Sequence, residues 1–259
     1  MKYFILSFIF YFSFVFTISG QNTIRLRILT FNIYHGETMN HNFDLDKIAQ
    51  IINSVQPDLV ALQEVDLRTN RAKKMDLLTE LALRTDLNPL FGRAMYYDDG
   101  EYGEGILSKF SFVKTKRYLL PYSENHEPRA VLEALIELSA GDTIRFLATH
   151  FDHTEIPPDR IKQAKKINEL FRINDYPTIL AGDLNAVPES ESITILKSVW
   201  IDACNDKSTK TFSSAKPNRR IDYIMYKPEK DWKLIEYKVI CDKIVSDHCA
   251  VFSIVELKN

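Results

Sequence analysis

Short apolar runs that end in a polar or ionisable residue recur along this 259-residue chain and limit its possible folds more than any other feature. Six such runs carry the following residues at or beside one end: Asn32, Glu64, His150, Asp183, Asn185, Asp222, Asp247 and His248. A short apolar run predicts a buried strand, and a polar group at its end needs a partner or a ligand. Each residue alone has an ordinary explanation as a cap, a turn or a satisfied histidine. Because strand ends converge at the edge of a sheet, the set together predicts a single functional site.

The segment 177–188 shows the pattern most clearly. Residues 178–181 form an apolar run that predicts a buried strand, and Gly182 ends it. Asp183 and Asn185 follow two positions apart, which places both side chains on one side of an extended backbone. The same residue types are common in turns, so an ordinary turn is the alternative interpretation.

The order of the predicted elements indicates the fold class. The predicted strands cover residues 24–31, 59–62, 102–108, 112–120, 129–138, 142–149, 178–181, 221–226, 232–239 and 249–255. Helices are predicted from the cap at Asp44 to Pro57, over residues 75–87 and over residues 160–171. Strands and helices alternate early, whereas consecutive strands dominate the middle and the end. This mixture predicts an α/β sandwich of mixed sheets with helices on the outside.

The composition is that of an ordinary globular chain, with 45% hydrophobic and 26% charged residues. The formal net charge of −2 provides no overall basic field for a polyanionic partner. The three cysteines, Cys204, Cys241 and Cys249, have no zinc-site spacing and are too few for a disulfide scaffold. One disulfide is possible in an oxidising compartment, and its pairing is left open.

The first 20 residues predict a secretory signal peptide. Lys2 is followed by an apolar run over residues 3–16 and then by small and polar residues, so we expect cleavage after Ser19 or Gly20. A retained membrane anchor is less favoured because the run is short for a full span. We therefore expect one domain over residues 21–259, exported to the periplasm or outside the cell as a monomer without stable membrane insertion.

Part of the strand-end set suits binding of a hard cation. Glu64 and Asp247, helped by Asn32, offer only oxygen ligands, which select Mg²⁺ or Mn²⁺ over zinc. His248 beside Asp247 is a candidate general base, and Asp222 is a candidate to hold its second ring nitrogen.

The remaining residues complete a hydrolytic site. Asp183 and Asn185 are candidates to position a water, and His150 is a candidate donor to a developing negative charge. One metal, a His–Asp pair and several neutral donors suit attack of water on a phosphate ester. A serine hydrolase is disfavoured because residues 246–248 are adjacent and cannot form a triad, and because the Gly-x-Ser-x-Gly motif is missing from the sequence.

Seven short motifs follow one another in a characteristic order. They are Thr30-Phe-Asn-Ile33, Gln63-Glu-Val-Asp66, Tyr102-Gly-x-x-Ile-Leu-Ser108, Thr149-His150, Gly182-Asp-Leu-Asn185, Arg220-Ile-Asp-Tyr223 and Ser246-Asp-His248. Together they resemble the endonuclease/exonuclease/phosphatase superfamily, which includes DNase I-like nucleases, inositol polyphosphate 5-phosphatases and bacterial sphingomyelinases. The match runs from about residue 25 to the C-terminus.

This resemblance implies a four-layer α/β sandwich, in which two packed mixed β-sheets are flanked by helices, and a bound Mg²⁺ or Mn²⁺. It also implies a role for each matched position. Glu64, Asn32 and Asp247 would bind the metal. His248, oriented by Asp222, would activate the water or contact the phosphate, Asp183 would orient the nucleophile or assist a proton transfer, and Asn185 and His150 would bind phosphoryl oxygens. A non-catalytic binding module on the same fold is disfavoured because every matched catalytic position is retained.

Further motifs resemble the secreted bacterial branch of the superfamily: Thr149-His-Phe-Asp-His153 with Arg160-x-x-Gln163, Glu127-Pro-Arg129, and the segment from Asp66 to Arg71. They make Arg71, Arg129 and His153 candidates for holding a substrate phosphate, since a guanidinium can bind two oxygens. Ordinary salt-bridged arginines are the alternative. The chain departs from the branch at Glu104, which places a carboxylate where many relatives have a neutral residue.

The charges near the expected site bear on the substrate. Residues 95–105 carry four acidic side chains and no basic one, whereas residues 68–74 are basic. A nuclease needs a basic track along the phosphate backbone, so a small or lipid-headgroup-like phosphodiester or phosphomonoester is favoured over nucleic acid. A secreted Mg²⁺-dependent endonuclease is the alternative.

Overall fold

Two six-stranded mixed sheets pack face to face in the structure, a computed structural model that describes residues 23–138, 141–155 and 158–258. The strands are β1 (Ile24–Asn32), β2 (Leu59–Leu67), β3 (Asn88–Tyr97), β4 (Gly100–Ser108), β5 (Phe112–Leu119), β6 (Ala130–Glu137), β7 (Thr143–His150), β8 (Thr178–Asp183), β9 (Ile201–Asp202), β10 (Asp222–Lys227), β11 (Trp232–Ile240) and β12 (Ala250–Leu257). The α-helices are α1 (Leu45–Ser54), α2 (Leu77–Thr85), α3 (Pro158–Leu170) and α4 (Glu191–Lys197). The predicted signal peptide lies outside the described residues, and its cleavage stays a prediction.

The strand order brings the polar strand ends together. The first sheet has the order β11-β12-β1-β2-β4-β3 and the second the order β5-β6-β7-β8-β10-β9. In the described part of the chain each sheet has one parallel pair, β1 with β2 and β7 with β8. Asn32 lies opposite Gln63 in the first pair, and His150 lies opposite Asp183 in the second. The carboxyl ends of both parallel pairs therefore carry the predicted site residues, as expected for ligand sites in α/β sheets.

Three apolar clusters separate four layers. Side chains alternate between the two faces of β1. Ile28 therefore lies in the cluster between the sheets, together with Phe146 of the second sheet, and Phe31 lies on the opposite face. Phe31 packs there in the cluster under α1 and α2, which includes Ile48. A third cluster joins α3 and α4 to the outer face of the second sheet. The predicted four-layer α/β sandwich is confirmed.

Capping side chains begin three of the helices. Asp44 accepts a hydrogen bond from the backbone N–H of Lys47 at 3.2 Å, and Asp76 and Ser190 cap α2 and α4 in the same way. The predicted helices agree with α1, α2 and α3 within a few residues, whereas β3, β9 and α4 were not predicted. None of the helices described in the structure is long and apolar enough to cross a membrane.

A disulfide joins Cys241 to Cys249, and Cys204 is a free, half-buried thiol. The structure thereby decides the pairing that the sequence left open. The bridged loop leads into β12 and contains Asp247 and His248. It therefore ties two predicted site residues to the end of the sheet.

Candidate active site

The polar strand ends surround an open cavity of about 440 Å³ at the carboxyl ends of the parallel strand pairs. Most of the predicted site residues line it: Glu64, Arg71, Arg129, His150, His153, Asp183, Asn185, Asp247 and His248. Asn32 and Asp222 are buried just behind the lining, where they hydrogen-bond to it. All of the residues predicted from the sequence thus lie at one site.

Glu64 reaches the cavity from a β-bulge. The pairing of β2 with β4 shifts register between Leu62 and Val65, and Glu64 there adopts a left-handed φ of 59°. Its Oε1 accepts from Asn32 Nδ2 at 3.1 Å, and its Oε2 lies 3.6 Å from His35 Nδ1. Burial opposes ionisation of Glu64, but the neighbouring His35, His150 and Asn32 outweigh it and lower its pKa to about 2. Glu64 is therefore a carboxylate at neutral pH.

Asn32 links the two halves of the site. Its amide nitrogen donates to Glu64 and, at 3.2 Å, to Asp183 Oδ2 of the other sheet, while its amide oxygen accepts from the N–H of Tyr34. Asn32 is fully buried, and these three bonds hold it in place. It aligns the carboxylates of the two sheets through its N–H groups.

Asp247 adds a second carboxylate on the same side as Glu64. Burial and the nearby Glu64 charge raise the pKa of Asp247 above its ordinary value, although His248 opposes the shift. Two carboxylates that repel each other in a partly buried site are stabilised by a cation between them. Glu64 and Asp247 therefore offer oxygen ligands of the kind that the expected divalent metal prefers.

His248 is held between two aspartates. Its Nδ1 lies 3.1 and 3.2 Å from the two carboxylate oxygens of Asp222, and its Nε2 lies 3.5 Å from Asp183 Oδ2. Burial disfavours the charged ring, but the Asp222, Asp183 and Asp247 carboxylates prevail and raise the pKa of His248 to about 10. The ring is therefore an imidazolium at neutral pH, which is a hydrogen-bond donor at both nitrogens.

The turn at Asp183–Asn185 is itself part of the site. Asp183 Oδ1 accepts from the backbone N–H of Asn185 at 2.9 Å, and Asn185 adopts a left-handed φ of 47°. The other carboxylate oxygen of Asp183 faces Asn32, His150 and His248. These positive and polar neighbours keep the pKa of Asp183 well below its usual range despite complete burial. The turn presents an ionised carboxylate to the cavity.

His150 is oriented from behind by an arginine. Arg129 Nη1 can only donate and lies 3.3 Å from His150 Nδ1. At the other edge of the ring, Nε2 lies 3.4 Å from Asp183 Oδ2, an acceptor, and 3.0 Å from the amide nitrogen of Asn185, a donor. The imidazole thus lies beside the carboxylate at the end of β8.

Two arginines and two tyrosines form the wall beside Glu64. Arg71 makes a bidentate ion pair with Asp66 at 2.7 and 2.9 Å, and its guanidinium stacks over the rings of Tyr97 and Tyr102. Its third nitrogen, Nη1, has no hydrogen bond to the protein within the described residues. The ion pair anticipated as the alternative is present, and it fixes a guanidinium at the cavity.

Arg129 is almost fully buried, at 1% exposure, and still lines the cavity. Its Nη2 contacts Glu127 Oε2 at 2.7 Å and His153 Nδ1 at 3.1 Å, and its Nη1 lies 3.4 Å from the Tyr102 hydroxyl. Its charge therefore faces several fixed polar groups at the mouth of the site.

Glu104 does not face a substrate. Its side chain is 1% exposed and lies outside the cavity lining. Burial raises its pKa to about 8, although Arg129 opposes the shift. Glu104 is therefore largely protonated at neutral pH and repels no bound anion.

The sequence reasoning missed several residues that line the cavity. They are Tyr34, His35, Tyr97, Glu127, Phe212 and Arg219. The signal that could have identified the first two is their position, directly after the strand that ends at Asn32. The ring of Phe212 packs on His248 at 4.7 Å between centroids, a contact that connects residues far apart in the chain and leaves no local signal.

Comparisons with known proteins agree with this geometry. The model of the Endonuclease/Exonuclease/phosphatase family matches residues 29–248. A search of curated proteins found no match.

Several solved structures share the fold. An endonuclease/exonuclease/phosphatase from Beutenbergia cavernae superposes with a TM-score of 0.78 at 22% identity, over 91% of this chain and 72% of the other. A mannosyl-6-phosphatase from Bacteroides thetaiotaomicron gives 0.72 at 21% identity, over 90% and 100% of the two chains. The catalytic domain of human Nocturnin with bound sulfate gives 0.72 at 17% identity, over 90% and 95%.

The match of the family model over most of the chain, the four-layer sandwich and the converging strand ends lead to one conclusion. The chain belongs to the endonuclease/exonuclease/phosphatase family.

Proposed function

We propose that the chain is an exported, divalent-metal-dependent phosphoesterase that hydrolyses a small or lipid-headgroup-like phosphate ester. The observation that carries this proposal is the arrangement around Asp183. This ionised carboxylate lies within 3.5 Å of both His150 and His248, and it shares the amide nitrogen of Asn32 with Glu64 as a hydrogen-bond donor. Hydrolysis of a phosphate ester needs a group that holds water, donors for phosphoryl oxygens and a cation site, and this cavity supplies all three.

Each residue has a role that its surroundings favour. Asp183, with its lowered pKa, orients the attacking water. His248, protonated and held by Asp222, donates a hydrogen bond to a phosphoryl oxygen, and His150 and Asn185 are the proposed further contacts for phosphoryl oxygens. A general-base role for His248 is the alternative, and it requires the ring to be neutral.

Glu64 and Asp247, helped by Asn32, would hold the metal, Mg²⁺ or Mn²⁺. Asn32 also links Glu64 to Asp183 through its amide nitrogen. When bound, the metal would polarise a phosphoryl oxygen as a Lewis acid. Arg71, Arg129 and His153 lie on the wall beside this position and are the proposed contacts for the substrate phosphate.

The size and charge of the cavity support a small substrate. A volume of about 440 Å³ is in the range of small-molecule sites. The hairpin beside it exposes Asp98 and Asp99, which line a neighbouring cavity and would repel a long polyanion. The Bacteroides thetaiotaomicron relative described as a mannosyl-6-phosphatase makes sugar phosphates reasonable test substrates.

A nuclease is retained as a second candidate for one reason. A further cavity of about 480 Å³ continues from the site and shares His153, Asn185 and Arg219 with it. Such a cleft has room for a chain on both sides of a phosphate. Plasmid DNA is therefore included among the test substrates.

The test is an activity screen on residues 21–259 after removal of metal with EDTA. Mannose 6-phosphate, inositol phosphates, sphingomyelin, bis-p-nitrophenyl phosphate and plasmid DNA are incubated with and without Mg²⁺ or Mn²⁺. We expect turnover of at least one small ester only with added metal. Turnover that survives EDTA would contradict metal dependence, and failure of every substrate with both metals would favour a non-catalytic binding module.

A matched pair of variants tests the site itself. Asp183→Asn is expected to lower kcat by at least about 100-fold without changing the circular dichroism spectrum, because the change is isosteric and removes the carboxylate that orients water. Asp206→Asn is the control, since Asp206 is exposed and lies outside the cavity lining. Turnover by Asp183→Asn equal to that of the control would refute the assignment.

A further inference from the structure

An unusual backbone turn aims His35 into the candidate active site. Directly after β1, three consecutive residues adopt left-handed backbone angles: Tyr34 (φ 46°), His35 (φ 44°) and Gly36 (φ 83°). Only glycine adopts this conformation freely, and each other residue there costs about 1–2 kcal/mol. Strain of this kind at a cavity suggests that the direction of the side chain is functional. His35 lines the cavity and is 9% exposed.

One side of the His35 ring is held by a carboxylate. Its Nε2 lies 3.1 Å from Glu37 Oε2, and Glu37 Oε1 lies 3.2 Å from His41 Nδ1. A carboxylate can only accept, so Nε2 of His35 carries a proton. This contact fixes both the tautomer and the orientation of the ring, as a carboxylate does for a metal-binding histidine.

The other side of the ring is buried without a hydrogen-bond partner. Nδ1 faces Glu64 Oε2 at 3.6 Å, which is too long for a hydrogen bond. Nδ1 is therefore either protonated without a hydrogen bond or a lone pair that faces a carboxylate. In both states a divalent ion bound between His35 and Glu64 would satisfy the two groups.

The distance suits two ligands of one ion. A divalent ion binds carboxylate oxygen and imidazole nitrogen at about 2.0–2.2 Å, so two ligands of the same ion lie no more than about 4.4 Å apart. The 3.6 Å between His35 Nδ1 and Glu64 Oε2 is within this limit. The amide oxygen of Asn32 accepts from the N–H of Tyr34 and keeps a second lone pair.

We propose that His35 Nδ1 is a direct ligand of the divalent ion at Glu64, oriented by Glu37, so that the site binds Mn²⁺ in preference to Mg²⁺. Imidazole nitrogen suits transition metals and Mg²⁺ prefers oxygen, so a nitrogen ligand beside Glu64 favours Mn²⁺ over Mg²⁺. This inference rests on the metal site of the proposed function and adds to it a ligand and a metal preference.

The test measures metal binding separately from activity. Titration calorimetry of metal-free protein with MnCl₂ and with MgCl₂ compares the wild type with His35→Gly. Glycine is chosen because it accepts the left-handed φ, and unchanged circular dichroism checks the fold. We expect Mn²⁺ affinity to fall at least about tenfold and Mg²⁺ affinity to change much less, with added imidazole restoring Mn²⁺ binding.

Pulsed electron paramagnetic resonance of bound Mn²⁺ gives a direct signature. The wild type should show nitrogen coupling from a bound imidazole, and His35→Gly should lose it. His126→Gln tests the other group that could supply an imidazole, because the ligand atoms of His126, Asp152 and Asp159 lie within 4.8 Å of one another; nitrogen coupling lost in this variant and kept in His35→Gly would place the Mn²⁺ there and overturn the role of His35. Glu37→Gln should weaken Mn²⁺ binding to an intermediate degree.

The outcomes separate the two proposals. Nitrogen coupling that is missing in the wild type, or that persists in His35→Gly, would overturn the role of His35 and leave metal-dependent hydrolysis standing. Equal losses of Mn²⁺ and Mg²⁺ affinity would overturn the metal preference. A wild type that binds neither ion would overturn both this inference and the metal dependence of the proposed function.

Discussion

Removal of the Cys241–Cys249 disulfide should destabilise the protein and loosen the loop that carries Asp247 and His248. The variant is Cys241→Ser combined with Cys249→Ala. Serine suits the exposed position 241, whereas Cys249 is fully buried, so alanine avoids placing a hydroxyl in the core.

The magnitude follows from the loop that the bridge closes. The two cysteines are eight residues apart, and the entropy lost by the unfolded chain on closing such a loop corresponds to about 2.5 kcal/mol at 25 °C. For a chain of this size, a loss of that amount lowers Tm by about 5–10 °C. Activity should fall as well, since the bridge restrains residues next to His248.

Urea and thermal unfolding of the oxidised wild type, the double variant and Cys204→Ser measure the effect. Cys204 is the free thiol, so its replacement should change the free energy of unfolding by less than about 1 kcal/mol. A double variant as stable as Cys204→Ser would refute the reasoning. So would three reactive thiols in the unreduced, denatured wild type, where one is expected.

Two further predictions address the site. Asp222→Asn removes the carboxylate that holds His248 Nδ1, so the pKa of His248 should fall from about 10 toward its ordinary value. His248 would then lose its donating proton at a lower pH than in the wild type. We therefore expect kcat/KM to decline above about pH 7 in the variant but not in the wild type. An unchanged pH profile would contradict this role. Gly182→Ala would place a methyl group 2.0 Å from the Thr149 carbonyl oxygen and force β8 away from β7. It should cost about 1–3 kcal/mol in urea unfolding and reduce turnover by separating His150 from Asp183, whereas wild-type stability would show that the backbone adjusts freely.

Local patterns in the sequence were sufficient for most elements of the fold. Apolar runs of four to nine residues predicted the central strands, because a strand buried on both faces must be apolar along its length. The edge strand β3 was missed, since Pro89 and Gly92 weaken its strand signal and its place depends on pairing with β4. Helix α4 has only seven residues, which is too short for a helical period to stand out.

For the candidate site, too, some features follow from the sequence and others only from the tertiary structure. The sequence alone determined which residues end the strands, and the resemblance of their motifs to a known family assigned them a chemistry. Only the tertiary structure decided which of them touch. Asn32 reaches Asp183 across 151 positions of the chain, Cys241 pairs with Cys249 rather than Cys204, and His248 lies between two aspartates whose charges favour its protonated form. His35 shows the same limit within four residues of Asn32, because the direction of its ring depends on a left-handed turn. Residue types and their spacing record what a short segment prefers, whereas distances between distant segments, and the charges that they impose on one another, arise only when the sheets pack.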